Sequence, residues 1–415
     1  MRSQGTLKYR CMFQKGLLLC FVLLGHALAA PPKEVDNKSF ELKATVDFSK
    51  AITELERARI MRKANLYLSE QVLTISSVTS PRSMGTKHDF FSEGDYWWPN
   101  PEDPDGPYIR RDGESNPDNF VDHRKLLMRF SDIVATLSSA YLISDNKQYL
   151  NKTIEHLQAW FIHSSTRMNP SLLYGQAIQG RYTGRSIGII DTIHLVEVAK
   201  SIEVLIAREA LPDACAKALK AWFSEYLMWL NTHEYGLKEK HHPNNHGITW
   251  SMQAASFARL ANDQETLKWI RQQFKKVYIK QMMNINGGFD AELARTKPYA
   301  YSLFVIDAMM VLAELASTEN DKLWEFIDTD DQGNTRSLAK GMAFITPFIA
   351  DKSSWPYQQD IQYWDEWPVR HISLMLHAKH TQNTNYLSLF ATLQSDPQTY
   401  EIIRNTPVRH PLLWL

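Results

Sequence analysis

Apolar residues recur at steps of three and four along most of this chain, a spacing that fits helices buried along one face and excludes most sheet architectures. In "KLLMRFSDIVATLSSAYLI", Leu126, Phe130, Ile133, Leu137 and Tyr141 fall on one helix face. The segments "DTIHLVEVAKSIEVLIA", "KALKAWFSEYLMWL", "TWSMQAASFARLA" and "SLFVIDAMMVLAELA" repeat that character. Period-two runs flanked by hairpin turns are scarce. The fold class is all-α.

The helices also come in pairs. "SSAYLISDNKQYLNKTIEHLQAWF" and "ASFARLANDQETLKWIRQQFKKVY" each join two amphipathic runs through a short Asp/Asn turn, and "AELASTENDKLWEF" and "HAKHTQNTNYLSLF" echo them more weakly. Such turns make antiparallel helical hairpins. Their irregular spacing argues against a short-repeat solenoid. An (α/α) toroid, or incomplete barrel of helical hairpins with long loops shaping a cleft, is the expected architecture. Periodicity alone fits an irregular helical bundle as well.

Residues 1–30 read as a secretory signal peptide. Arg2, Lys8, Arg10 and Lys15 precede the apolar run "GLLLCFVLLGHALAA", which ends in small residues. The run is shorter than the ~20 residues a membrane span requires. Leu19 before Cys20 is not the small residue that lipoprotein processing favours. The expectation is an exported protein, periplasmic or secreted, with one catalytic domain over residues 31–415 and no membrane attachment after cleavage. The whole chain carries 46 basic and 46 acidic residues, so losing four basic ones leaves 42 against 46, a net charge of −4. Nothing in that balance attracts nucleic acid. Cys215 is the only cysteine after residue 30, so no internal disulfide is expected.

Three stretches, residues 88–124, 166–190 and 351–368, do not read as helix. They hold "DYWWPNPEDPDGPYIRRDG", "NPSLLYGQAIQGRYTGRSIGII" and "DKSSWPYQQDIQYWDEWP". Long loops in a compact domain tend to be functional. These concentrate Trp, Tyr and Arg, whose flat faces suit sugar rings and whose guanidinium forks suit carboxylates. Two further sites are dense in polar groups. "HHPNNHGITW", residues 241–250, stands before a helix; one Asn suits an N-cap, which leaves the adjacent Asn245 and His246 to point into a cleft. "FDAELARTKPYAYSLF" places Glu292, Arg295, Tyr299 and Tyr301 just before a strongly apolar helix. Taken alone, that second site also fits a Glu292–Arg295 pair with both tyrosines in the core.

"NNH", then "ELAR", then a Tyr is similar to the pattern of the alginate lyase superfamily with an α/α toroid. With "YWWPNPEDPDGPYIRRDG" and "NPSLLYGQAIQGRYTGRSIGIID", the chain resembles polysaccharide lyase family 38, and family 5 more distantly, over residues 88–310. The resemblance implies that Asn245, His246, Arg295 and Tyr301 form the catalytic site. Family 5 places its tyrosine one residue further from the arginine, which keeps Tyr299 as a second candidate. The candidate substrate-binding residues are Trp97, Trp98, Arg110, Arg111, Tyr174, Gln176, Arg181, Arg185, His242, Trp250, Glu292, Tyr299 and Trp364. The implied partner is an anionic polysaccharide, a polyuronate. The implied reaction is β-elimination: Asn245, Arg295 and His246 neutralise the uronate carboxylate, and Tyr301 moves the proton. A tyrosine normally ionises near ~10, so a cation such as Arg295 is expected to favour its phenolate.

Rival readings remain at this stage. A glucuronan lyase would use the same residues, and a glycoside hydrolase would need two carboxylates from Asp191, Glu292, Asp360, Asp365 and Glu366. A non-catalytic polysaccharide-binding protein would explain the loops but not the clustered Asn, His, Arg and Tyr. No metal or other cofactor is expected, because His241 and His246 lack an H-E-x-x-H type motif. Exhaustive chelation should therefore leave most lyase activity intact; loss that one added metal restores would refute the metal-free assignment.

Overall fold

The apolar periodicity resolves into fourteen α-helices in the computed structural model, which describes residues 47–415. The expected signal peptide, residues 1–30, lies outside the described residues. The helices are α1 (Phe48–Tyr67), α2 (Asp122–Ser144), α3 (Lys147–Phe161), α4 (Leu195–Ala207), α5 (Asp213–Thr232), α6 (Glu234–Lys240) and α7 (Asn245–Ala261). They continue with α8 (Gln264–Gln273), α9 (Asp290–Leu293), α10 (Pro298–Ala316), α11 (Leu338–Ala350), α12 (Ile372–Thr381), α13 (Thr384–Thr392) and α14 (Tyr400–Arg404).

One turn device makes three of the hairpins. Asp145, Asn262 and Gln382 end α2, α7 and α12 in the left-handed region, at φ of 53°, 57° and 57°. The next residue in each case, Asn146, Asp263 or Asn383, caps the following helix by accepting a backbone N–H with its side chain. A left-handed C-cap followed at once by an Asx N-cap reverses the chain in two residues. The fourth expected hairpin differs. Ser317 leaves α10 in extended conformation, and a 3-10 turn with a two-stranded hairpin, Ile327–Thr329 with Thr335–Ser337, intervenes before α11.

Helices α2, α4, α7, α10 and α12 pack successively against one another as an inner row. Helices α3, α5, α8, α11 and α13 each pack on the inner helix that precedes them. This is an incomplete α/α toroid, and the C-terminal turn Pro411–Trp414 packs on α1, α2 and α4. Helices α2 and α10 are long and apolar enough to cross a membrane. Their most apolar windows are 78% and 89% buried in the ring, which makes them core helices. The described residues lie within one compact unit, Val46–Leu415.

The three irregular stretches carry only short strands and turns. Phe91–Glu93 (β1) pairs in parallel with Tyr174–Ala177 (β4), and Trp97–Trp98 (β2) pairs antiparallel with Ile109–Arg110 (β3). A buried chain of charges fixes these loops to the ring. Asp191 meets Arg124 at 3.0 Å, Arg124 meets Asp95 at 2.8 Å, and Asp95 meets Arg404 at 3.1 Å. Arg404 then meets Glu401 at 3.0 Å, and Glu401 meets Lys297 at 2.5 Å. Burial pushes the Glu401 carboxyl up, but Lys297 and Arg404 outweigh it and hold it at about 2. A carboxyl depressed on folding contributes stability above its unfolded value and loses it as pH falls through the folded one. Glu401→Gln should therefore destabilise most near neutrality. Its deficit against the parent should shrink as pH drops from 4.5 towards 2, read by urea unfolding across pH.

Candidate active site

The entrance of α7 is built by two side chains with separate tasks. Asn244 is the N-cap, its Oδ1 accepting the His246 N–H at 3.0 Å. Asn245 is therefore not needed for capping, and its backbone N–H and Nδ2 both donate to Glu292, at 2.8 and 2.7 Å. His246 Nδ1 lies 2.5 Å from Oε1 of Glu239, a fully buried residue at the end of α6. A carboxylate there accepts the Nδ1 proton and leaves the Nε2 lone pair to the cleft.

The start of α10 supplies the facing wall. Tyr301 lies in its first turn, and its hydroxyl is 2.9 Å from the Tyr96 hydroxyl and 3.2 Å from Arg295 Nη2. Asp112 orients Arg295 through contacts of 3.2 Å to Nε and 2.9 Å to Nη2, and also accepts from Arg110 at 2.6 Å. Burial raises the Asp112 carboxyl, yet Arg295 and Arg110 pull it below its ordinary value. Lys297 stands 5.9 Å from the Tyr301 ring centre.

These walls enclose a cleft of about 350 Å³. All four expected catalytic residues, Asn245, His246, Arg295 and Tyr301, line it, with Trp97, Arg110, Gln176, Arg185 and His242. The β2–β3 register sets Trp97 beside Arg110. Arg185 lies over the Trp97 ring and donates to the Gln176 carbonyl at 2.8 Å and Oε1 at 3.0 Å. Burial lowers Arg185 to about 10, which leaves it cationic at neutral pH. Gln176 adopts φ 51°, a left-handed conformation unusual for a side-chain-bearing residue. Ser92 Oγ, Asp191 and Arg185 hold it there.

Other expected contacts lie elsewhere. Trp250 is completely buried against Trp269 under Lys240, so it is a core residue. Tyr299 is equally buried and donates to the Phe348 carbonyl at 2.8 Å, while Trp364 packs on it. Its position in α10, two residues from Tyr301, turns it into the core instead of the cleft. Glu292 supports Asn245 from behind and does not line the cleft. Tyr174 packs on Gly85, where an added Cβ would lie 2.7 Å from the ring. Trp98 stacks under Arg111, and Arg181 lies over Trp97 and holds the Tyr108 carbonyl, all three outside the cleft lining. The Glu292–Arg295 pair is replaced by Asp112–Arg295, and Asp112, Glu239 and Lys297 were not among the expected site residues.

Electrostatics correct one further expectation. Burial, and then Tyr96, push the Tyr301 phenol well above its ordinary value, and the opposing pull of Lys297 and Arg295 does not win. The free protein therefore holds Tyr301 as a phenol. Among the described residues no group of three or more His, Cys, Asp or Glu side chains is arranged to hold a metal ion. Among the described residues Asp95 is the only carboxylate lining the cleft, and Arg124 and Arg404 occupy it. Asp191 is taken by Arg124 and Gln176, and Asp360 by the backbone N–H groups of Tyr299 and Ala300. Among the described residues the cleft therefore lacks the two free, positioned carboxylates of a hydrolase.

The family model described as alginate lyase matches residues 74–355, which is 282 of 415 residues. An alginate lyase structure from Bacteroides ovatus superposes with a TM-score of 0.74 at 28% identity, covering 89% of this chain and 97% of that one. Alginate lyase A1-III from Sphingomonas species A1 shares the fold at 15% identity and a TM-score of 0.52, covering 89% of this chain and 99% of its own. A Tyr-to-Phe variant of alginate lyase A1-III, complexed with a tetrasaccharide, superposes with a TM-score of 0.51 at 15% identity, covering 90% and 95%. No curated protein matches the chain.

Asp112 generates a prediction of its own, because it touches Arg295 and Arg110 but does not line the cleft. Asp112→Ala removes hydrogen bonds between charged groups, each worth about 1.5–3 kcal/mol, and frees Arg295 to move. Turnover should fall about tenfold or more with the fold retained. Unchanged steady-state kinetics would show that Arg295 needs no such support.

Proposed function

Because the chain belongs to the alginate lyase family, we propose that this polysaccharide lyase cuts mannuronate-containing alginate at the cleft between α7 and α10. The convergence of Asn245, His246, Arg295 and Tyr301 on one cavity carries the reading. The four ordered sequence blocks support a place nearest polysaccharide lyase family 38.

In β-elimination the C5 proton leaves, the C4–O bond breaks, a C4=C5 double bond forms, and the departing oxygen takes up a proton. Asn245 and Arg295 neutralise the uronate carboxylate, which acidifies C5 and stabilises the developing enolate. His246 presents Nε2 on the same side of the cleft as Asn245. Tyr301 delivers the proton that the leaving oxygen takes up. On guluronate, where the C5 proton and leaving oxygen lie on opposite faces, His246 is the base and Tyr301 the acid. On mannuronate they share a face, and Tyr301 serves both steps. Once its resting proton has been lost to solvent, the phenolate beside Arg295 and Lys297 takes the C5 proton and hands it to the leaving oxygen, which returns Tyr301 to the phenolate. Trp97, Arg110 and Arg185 bind the neighbouring sugar and its carboxylate. The basic and apolar leader supports export to the periplasm or beyond.

Polymannuronate, polyguluronate and glucuronan, each followed by ultraviolet absorbance, test this reading against neutral glucans. Absorbance should rise on mannuronate blocks; reducing ends without absorbance would mean hydrolysis, and binding without product would mean a carbohydrate-binding role. Tyr301→Phe should lower turnover about a hundredfold to ten-thousandfold, the span of a lost general acid–base group. Tyr299→Phe should leave turnover near the parent's, because that hydroxyl serves only the Phe348 carbonyl. The reverse order of effects would move the catalytic role by two positions.

A further inference from the structure

Asn245 offers an amide whose two ends are nearly equal in shape and opposite in chemistry. Which end meets the substrate decides whether the cleft presents a donor or an acceptor there. Glu292, 1% exposed on α9, holds both the Asn245 backbone N–H through Oε1 at 2.8 Å and Nδ2 through Oε2 at 2.7 Å. A carboxylate can only accept, so the amide end turned towards it is the nitrogen. The second Nδ2 hydrogen and Oδ1 are left for the cleft, which Asn245 lines and Glu292 does not. Glu292 faces an adjoining cavity of about 440 Å³ behind the 241–244 loop, bounded by Lys240, Gln273 and Gln281.

We propose that Glu292 is a positioning residue for the elimination: by bridging the backbone and side chain of Asn245, it holds Nδ2 so that its second hydrogen is the one that meets the substrate carboxylate. This rests on the reading of Asn245 as the neutralising group. The two-point clamp also explains why Asn244 and Asn245 stand side by side, one capping the helix and one held for chemistry. Glu292→Gln keeps the shape but changes the logic. Its oxygen continues to accept the Asn245 backbone N–H, while its new NH₂ group meets the side-chain amide and turns it over. Glu292→Ala leaves the amide free to take either orientation.

The experiment is a double-mutant cycle on polymannuronate, with circular dichroism and melting temperature as checks on folding. Glu292→Gln, Glu292→Ala, Asn245→Ala and the two pairs are assayed by absorbance, at enzyme concentrations raised until the slowest variant is read. In the parent background either Glu292 change should lower kcat about tenfold to a hundredfold, the size of one lost hydrogen bond to a charged group, with a smaller change in KM. In the Asn245→Ala background neither should lower kcat further, because the group it positions is gone. Full kcat in Glu292→Gln overturns the proposal. So does an equal loss in both backgrounds, which is what a general packing role produces. If Glu292→Ala fails to fold, Glu292→Gln alone decides. If Asn245→Ala itself keeps parental turnover, the catalytic reading of Asn245 fails instead, and the positioning role falls with it.

Discussion

The alternating buried charges Asp191, Arg124, Asp95, Arg404, Glu401 and Lys297 tie the loops of this protein to its ring. Each ion taken from water costs several kcal/mol, and an incomplete set leaves an uncompensated charge in the core. The chain is therefore stable only when every member is in place. Its members come from the first long loop, α2, the 3-10 turn around Asp191, the start of α10 and α14. One end, Lys297, lies 5.0 Å from the Tyr96 ring and 5.9 Å from the Tyr301 ring. The network acts less as a source of stability than as a device that admits one arrangement of the cleft.

Two helix N-termini face that cleft, and an N-terminus is itself an anion site. Here the free backbone groups are already engaged. Glu292 and Asn244 take the first N–H groups of α7, and Asp360 takes those of Tyr299 and Ala300 in α10. In the proposed reaction, recognition of a uronate carboxylate is thereby left to side chains, Asn245 and Arg295, whose directions can be set one by one. Each in turn is held by a carboxylate that does not line the cleft: Glu292 behind Asn245, Asp112 behind Arg295, and Glu239 behind His246. The Tyr301 hydroxyl is held instead by Tyr96 and Arg295, and burial with Tyr96 outweighs the pull of Lys297 and Arg295 and keeps it a phenol in the free protein.

Much of this was legible beforehand, for identifiable reasons. The Asp145-Asn146 and Asn262-Asp263 turns announce hairpins because a left-handed C-cap and an Asx N-cap are local chemistry. Asn245, His246, Arg295 and Tyr301 stand in short dense motifs, and all four meet in the cleft. Trp250 and Tyr299 were misplaced as substrate contacts for a complementary reason. An aromatic ring beside a motif looks the same in sequence whether its helix turns it to the cleft or to the core. Asp112 was within view in "RRDG", but nothing in the chain links it to Arg295, 183 positions away.

The sequence by itself determined the helices, their pairing and the residue types of the candidate catalytic site, because periodicity, turn chemistry and motif spacing act over a few residues. Only the tertiary structure decided which carboxylate holds which candidate catalytic group, which aromatic rings line the cleft, and that Tyr301 rests as a phenol. Those outcomes depend on burial and on partners brought together from distant segments: Glu292 reaches Asn245 across 47 positions and Tyr96 reaches Tyr301 across 205. The free energy of a charge or a proton is set by what surrounds it, and only folding creates those surroundings.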